Sequence, residues 1–360
     1  MSVERYEEGI GFSASLLQLK WDLLDQRIAG LLQPGEDINV FINFESIMEN
    51  ITVQRPMTST LAYYKQDVTL EMESAILNLV AHYRAYFRKL RCKPKIYIYY
   101  TDLKNTEPQQ MTTYAKYYRE FYKNQFLQNP QFRAMGELLV ETVIPEIKLI
   151  LSYVQGCYFL SSSTFDGSII PLIIGNIEGG VKNVILSSDS FDTLYLFHEM
   201  YRMFYIRRRY KYSNIACDMD EVLQYIFKNE SVFDITLFRQ PMYYRLLLAV
   251  IGSKTRNING GYGFGVGKLL SLLKAGIDTG NILKTYSSID SIIDLFPSKQ
   301  RTDIKEAFQC MNLDTQYSLL SDADIGGIKD QLIDKYDPSV SELNDKRFLQ
   351  YPINLQALLN

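Results

Sequence analysis

Residues 95–101, KIYIYYT, are a short run of β-branched and aromatic side chains, which is typical of a buried strand. A similar run, INVFINF at residues 38–44, precedes it in the chain. Between the two runs, apolar residues recur at helical spacing over about 59–91, and this pattern ends before Lys93-Pro94. Two buried strands joined by a helix predict a βαβ unit, whose strands lie parallel in one sheet.

The alternation of strands and helices continues toward the C terminus. It predicts helices over about 107–128 and 131–154, a strand at 157–161, a short helix over 168–178, a strand at 181–188 and a helix over 190–209. The predicted fold class is therefore α/β, with a mostly parallel central sheet flanked by helices on both faces. In such sheets the functional side chains sit at the carboxyl ends of the strands.

The two ends of the chain differ from its middle. Residues 12–33 have helical spacing and end at Gln33-Pro34-Gly35, whereas the sequence after about 221 shows only helical periodicity and glycine loops. We predict an α/β core over 1–215, a helical region over 216–330 and a C-terminal tail over 331–360.

The composition is that of an ordinary globular protein, with 47% hydrophobic and 22% charged residues in a chain of 360. The net charge of −3 gives no global basic field, so any binding to nucleic acid must come from local patches. The N-terminal sequence MSVERYEEGI lacks the apolar run of a signal peptide, and no stretch is long and apolar enough to span a bilayer. We expect a soluble, intracellular protein with no membrane partner. The 27 tyrosines also fit an AT-rich genome such as that of a virus.

Histidine and cysteine are too few or too scattered to build a metal centre. The chain has two histidines, His82 and His198, and we expect His198 to be a packed or surface residue of a helix. The four cysteines lie far apart, with no CxxC pair, at Cys92, Cys157, Cys217 and Cys310. This spacing predicts neither a zinc site nor a disulfide scaffold, whereas a carboxylate site for magnesium stays open.

A glycine-rich loop, GSKTRNINGGYGFG at residues 252–265, runs into the helical segment KLLSLLKAG. Its glycines permit close backbone approach, and the N–H groups at a helix start can point at a phosphate. A dinucleotide-binding loop would have to follow a strand, but this one follows the helical run MYYRLLLAVI. A phosphate cradle and a plain turn between two helices both stay open on this evidence.

The loop resembles the helix–two-turn–helix element of the flap-endonuclease and 5′–3′ exonuclease family, a PIN-like family of 5′ nucleases. The residues that fit the family pattern are Gly252, Thr255, Asn257, Ile258, Gly260, Gly263 and Gly265, and those that depart from it are Asn259, Gly261 and Tyr262. The resemblance implies an element over 252–270 that binds duplex backbone, often with a potassium ion. It assigns nucleic-acid contacts to Lys254, Arg256, Asn257, Gly260, Gly263, Gly265 and Lys268.

Other landmarks follow in the family's order over about 38–295. They are VFINFESI at 40–47, YIYYTD at 97–102, TFDGSIIPLI at 164–173 and VILSSDSFDTLYL at 184–196. The resemblance therefore implies that the α/β core is a PIN-like, 5′-nuclease-type domain.

Two basic and aromatic stretches are further candidates for contacts with nucleic acid. YAKYYREFYKNQF at 114–126 occupies the place of the family's helical arch, at about 105–130, and would place Lys116, Arg119 and Lys123 against single-stranded nucleic acid. An amphipathic surface helix explains it equally well. IRRRYKY at 206–212, with Arg207 and Arg208, is either a solvated helix end or a phosphate contact.

The family holds divalent ions with a cluster of carboxylates, and much of that cluster is missing here. Asn43 stands where the first strand normally carries an aspartate, with Glu45 two residues later, while Asp102 matches the aspartate of the second strand. In the third segment only Asp166 is acidic, and it occupies the family's alanine position.

The remaining metal positions show the same loss. Asp189 matches the first aspartate of the family's D-x-D pair, but Phe191 occupies the second position and Asp192 comes one residue late. Ser253 and Arg256 replace two aspartates of the glycine loop. The remnant candidates are thus Asp102, Asp166, Asp189, Asp192 and Glu45, with Asp102 and Asp189 as the metal ligands in register. We expect no metal or a single Mg²⁺ or Mn²⁺, with K⁺ as a candidate at the glycine loop.

These departures favour a catalytically impaired relative of the 5′ nucleases that binds branched DNA or a duplex/single-strand junction, or acts as a scaffold in a replication or viral complex. One alternative is an active, magnesium-dependent 5′–3′ exonuclease or flap endonuclease that uses the displaced acids. Another is a structural subunit of a viral assembly that binds protein partners and no nucleic acid.

Overall fold

The computed structural model describes a defined part of the chain. It covers residues 32–44, 47–48, 51–52, 57–102, 129–179, 182–186, 205–209, 212–216, 223, 238, 241–252, 258, 260–261, 269, 271 and 289–332. The predicted helix over 107–128 lies outside these residues, as does nearly all of the one over 12–33. Candidate residues outside them are Glu45, Lys116, Arg119, Lys123, Asp189, Asp192, His198, Lys254, Arg256, Asn257, Gly263, Gly265 and Lys268.

A mixed sheet of six strands forms the centre of the described structure. The strands are β1 (Asp37–Asn43), β2 (Lys93–Thr101), β3 (Cys157–Ser162), β4 (Lys182–Leu186), β5 (Tyr205–Arg209) and β6 (Tyr212–Ala216). Their order is β3-β2-β1-β4-β5-β6; β1 to β5 run parallel, and β6 is antiparallel to β5. The predicted α/β class with a mostly parallel sheet is confirmed, as are the first four strands.

The helix predicted over 190–209 is wrong for its last residues, because 205–209 form β5 and pair with β6. The stretch containing Arg207 and Arg208 is therefore one arm of a hairpin and not a helix end. Arg207 lies opposite Asn214 and Arg208 opposite Ser213. Arginine has a good intrinsic helix propensity, but pairing with a neighbouring strand overrides such local preferences.

Helices cover both faces of the sheet. In the described residues they are α1 (Ser59–Tyr63), α2 (Lys65–Lys89), α3 (Pro130–Leu138), α4 (Ile144–Ser152), α5 (Ile170–Glu178), α6 (Pro241–Ile251), α7 (Ile289–Ile293), α8 (Ser298–Met311), α9 (Leu313–Ser318) and α10 (Asp322–Gln331). The helix predicted over 131–154 consists of α3 and α4 joined by a π-helical turn at Leu139–Val143. Asn129 starts it by accepting a hydrogen bond from the Gln131 N–H, with Pro130 at the first helical position.

Alternating residues of β1, β2 and β3 enter two separate hydrophobic cores. Val40 and Ile42 of β1 lie in the first core, with α2, α3 and α4, whereas Phe41 lies in the second core, with α5, α6 and α8. The described helices after residue 240 thus complete the layer on one face of the sheet. The division into 1–215, 216–330 and 331–360 stays a prediction. No helix within the described ranges has the length and apolar character needed to cross a bilayer.

Candidate functional site at the carboxyl edge of the sheet

The carboxyl ends of the central strands meet at one edge of the sheet. Asn43 at the end of β1 lies opposite Tyr99, and Thr101 at the end of β2 lies opposite Ser162. The chain crosses from β3 over β1 to reach β4, so the strand order reverses at β1. In open α/β sheets, ligands bind beside such a reversal, outside the carboxyl ends. This edge is therefore the candidate functional site.

The end of β1 contributes an amide where a metal centre would need charge. Asn43 is 3% exposed and has the same strand parity as Phe41, which lies in the second core. An amide oxygen can coordinate a cation but carries no net charge. The described end of β1 therefore supplies no anionic ligand.

Asp102 follows β2 and lies among groups of the first core. Burial, and then the negative charge of Asp102, raise the pKa of the Tyr100 hydroxyl above its ordinary value. Burial lowers the pKa of the Lys148 ammonium on α4, and the charge of Asp102 acts in the opposite direction. The carboxylate of Asp102 thus interacts electrostatically with a phenol and an ammonium among the described residues. No local sequence pattern marks Lys148 as part of this site, because its helix is distant from Asp102 in the chain.

Asp166 is fully buried and caps the short helical turn Gly167–Ile169. Its Oδ1 accepts a hydrogen bond of 2.6 Å from the Ser168 N–H. The Gly167 N–H donates to Thr101 Oγ1 at 2.9 Å, which fastens this turn to the end of β2. An aspartate before a helical run is a recognisable N-cap signal, so the capping role was readable from the sequence, whereas the contact with Thr101 was not.

The described residues do not fit the metal centre that the resemblance implies. Within the described ranges, no group of three or more His, Cys, Asp or Glu side chains is arranged to hold a metal ion. Asn43 is neutral, Asp102 has the Lys148 ammonium in its surroundings, and Asp166 caps a helix. Paired magnesium ions require several converging carboxylates.

The glycine loop begins where α6 ends. Gly252 has a φ of 68° and donates its N–H to the Leu248 carbonyl at 2.9 Å, which closes the helix. The loop then returns to the helix: Gly261 N–H donates to the Val250 carbonyl at 3.1 Å, and Ile258 is buried in the second core. Gly260 has a φ of 57° and lies directly against the end of α6. Glycine at positions 252 and 260 thus allows the loop backbone to pack closely against the end of α6.

Comparison with protein-family models and with curated protein sequences gives no match. A solved structure of T5 5′-exonuclease with bound divalent metal ions (zinc) is similar to this chain with 12% sequence identity and a TM-score of 0.49. The similarity covers 82% of this chain and 98% of that chain.

Proposed function

We propose that this protein is a divergent relative of the 5′ nucleases that binds branched DNA or a duplex/single-strand junction without cleaving it. The observation that carries the proposal is the shortage of available carboxylates at the described strand ends. Asn43 is a buried amide, Asp166 caps a helical turn, and Asp102 lies near the Lys148 ammonium. In this proposal the inherited fold retains its binding role and has lost its chemistry.

The loss of cleavage follows from the charge at this edge. Hydrolysis with two metal ions needs carboxylates that hold both ions and offset their charge. An amide in place of a carboxylate removes one negative charge, and Arg256 in the glycine loop adds a positive one. A single Mg²⁺ or Mn²⁺ at Asp102 and Asp189 would lack the second ion that stabilises the leaving oxygen.

The binding role is supported by the glycine loop. Gly252 and Gly260 adopt positive φ, and the Gly261 N–H donates to the Val250 carbonyl, so both described ends of segment 253–259 lie at the end of α6. That segment contains Lys254 and Arg256. We propose that these two cations bind backbone phosphates directly, and Arg256 can do so with two parallel hydrogen bonds. A K⁺ ion at this loop would add to the same contact.

DNA binding and cleavage are tested separately on one substrate, a fluorescently labelled 5′-flap DNA. At low salt in EDTA we expect binding, detected by fluorescence anisotropy, that weakens as salt is added. The K254A/R256A double variant should bind at least ten-fold more weakly, because two phosphate contacts are lost. Gel electrophoresis after incubation with Mg²⁺ or Mn²⁺ should show intact DNA.

Each alternative has its own outcome. Cleavage that disappears in the Asp189→Ala variant would identify an active nuclease with displaced acids and overturn the impaired assignment. Absence of binding to flap, duplex and single-stranded DNA at low salt would overturn the nucleic-acid role. The protein-binding subunit of a replication or viral complex would then be the better assignment.

A further inference from the structure

Lys148 of α4 is held in one place at the carboxyl edge of β2 and β3. Its Nζ donates a hydrogen bond of 2.8 Å to Ser161 Oγ. The ammonium also lies 5.3 Å from the ring centroid of Tyr100 and 5.8 Å from that of Phe159. The side chain is half-buried, so part of it stays open to solvent. No sequence motif singles out this residue.

The groups that hold Lys148 are themselves fixed. Tyr100 and Phe159 are buried in the first core and pack edge-to-face at 5.6 Å between ring centroids. Ser161 is fixed through its backbone, which forms hydrogen bonds with the side chain of Gln331. A surface lysine loses rotamer entropy when it is immobilised. For Lys148 folding has already fixed the side chain, so a ligand would bind a preorganised cation.

The charge of Lys148 is only partly compensated by the described residues. An ammonium has three N–H donors, and Ser161 accepts from one of them. Aromatic faces attract a cation but accept hydrogen bonds weakly. Asp102 acts on Lys148 through its charge, and burial opposes the charged form of the amine. A ligand with anionic oxygens would therefore accept hydrogen bonds from the other N–H groups of Lys148.

We propose that Lys148 binds a backbone phosphate of the nucleic acid at this edge, next to Asp102. The inference rests on the proposed function, and it assigns to a residue of the α/β core a direct phosphate contact in place of a metal-mediated one. A fixed ammonium at the strand ends lies where ligands of open α/β sheets bind.

The test is the salt dependence of binding to the labelled 5′-flap DNA in EDTA. Two variants remove the charge: Lys148→Gln, which retains a donor for Ser161, and Lys148→Met, which does not. We expect both to bind several-fold more weakly than wild type and to reduce the slope of log K against log salt by about 0.9, the value for one phosphate contact. Lys148→Arg should keep the wild-type slope.

The matched control is Lys89→Met. Lys89 is an exposed residue in the last turn of α2, just before β2 begins, and so lies at the opposite edge of the sheet. This variant loses the same charge and should bind DNA as wild type does. Thermal unfolding of each variant establishes that it is folded at the temperature of the binding measurement.

The outcomes separate this inference from the proposed function. If wild type binds DNA and both neutral variants keep its affinity and slope, the Lys148 contact is wrong and the proposed function stands. If Lys148→Arg loses as much as Lys148→Gln, the effect comes from packing and the phosphate contact is again wrong. If wild type itself does not bind, the proposed function fails and this inference fails with it.

Discussion

The side-chain amide of Gln331 forms hydrogen bonds with both backbone groups of Ser161. The Ser161 N–H donates to Gln331 Oε1 at 2.9 Å, and Gln331 Nε2 donates to the Ser161 carbonyl at 3.0 Å. β3 is the edge strand of the sheet, and the carbonyl of Ser162 accepts from Asp102 of the inner neighbour. The backbone groups of Ser161 therefore face outward, and Gln331 occupies part of the place of a further strand. Capping of this kind protects an edge against pairing with another chain.

Gln331→Ala should destabilise the protein by about 1–3 kcal/mol, since two hydrogen bonds of about 0.5–1.5 kcal/mol each are lost. Gln331→Glu should cost at least as much, because its carboxylate would face the Ser161 carbonyl in place of a donor. Urea unfolding followed by circular dichroism measures both changes. Gln309→Ala, at an exposed position of α8, is the control and should be near neutral. Equal stability of Gln331→Ala and wild type would show that water replaces the amide without loss.

Asp324 gives helix α10 a pH-dependent attachment to the loop after β3. Its carboxylate accepts hydrogen bonds from Thr164 Oγ1 at 2.6 Å and from the Ser321 N–H and hydroxyl at 2.9 and 2.7 Å. Burial acts to raise the pKa of Asp324, but these hydrogen bonds outweigh it and lower the pKa below its ordinary value of 3.8. A carboxyl whose pKa falls on folding stabilises the protein above its unfolded-state pKa, and this contribution is lost as the pH falls through the folded-state pKa.

Asp324→Asn should therefore lower the free energy of unfolding at pH 7 by about 0.5–2 kcal/mol, because Asp324 is the partner of the N-cap Ser321 in the capping box of α10. The difference from wild type should shrink as the pH falls below about 4, where the carboxyl of the unfolded chain becomes protonated. Urea unfolding across this pH range measures it, with Thr164→Val as the partner variant that removes one donor and keeps the charge. A difference that stays constant with pH would contradict the assignment.

Local sequence runs were enough to predict β1 to β4, because each one is a short apolar segment bounded by polar residues. The same reasoning failed for residues 205–209, where three arginines in a row obscure the strand and only pairing with β6 fixes it. Strand pairing between chain segments leaves little trace in the local composition of either segment.

The strand ends carrying Asn43, Asp102 and Asp166 were also predictable, since parallel strands share one carboxyl edge. Their partners were not. Ser161 and Gln331 are 170 positions apart, and Gly167 and Thr101 are 66 apart. The sequence around each of these residues does not predict its partner, because the contacts depend on how whole helices and strands pack together.

At the candidate site, the backbone of β2 leaves no room for a side chain at position 167, so glycine is required there. A Cβ at this position would lie 2.7 Å from the carbonyl carbon of Tyr100 and 3.0 Å from the Thr101 nitrogen. Gly167→Ala must therefore push the Asp166 turn away from β2, which we expect to cost about 1–3 kcal/mol, as in overpacked cores. Thr101→Val, which removes only the oxygen that accepts from Gly167, should cost about 1–3 kcal/mol for the buried N–H left unpaired. Thermal denaturation of both variants measures the two costs, beside a Gly327→Ala control on α10, which should raise stability by about 0.5–1 kcal/mol because the added carbon meets open space.

Gly260 packs against the end of α6. Replacing it tests whether the backbone shape of the glycine loop matters for binding, since no charge is changed. With a φ of 57°, an added Cβ would lie 2.7 Å from both the Ala249 carbonyl oxygen and the Gly252 nitrogen. Left-handed backbone costs a residue with a Cβ about 1–2 kcal/mol, and the clash with backbone adds to it. Gly260→Ala should therefore lower the melting temperature and weaken binding to the 5′-flap DNA while leaving every charge in place. Gly326→Ala, on α10 with open space around the added carbon, is the matched control and should raise stability by about 0.5–1 kcal/mol.

Unchanged DNA affinity in a destabilised but folded Gly260→Ala protein would show that the loop's shape does not matter for binding, and would place the nucleic-acid contact elsewhere in the molecule.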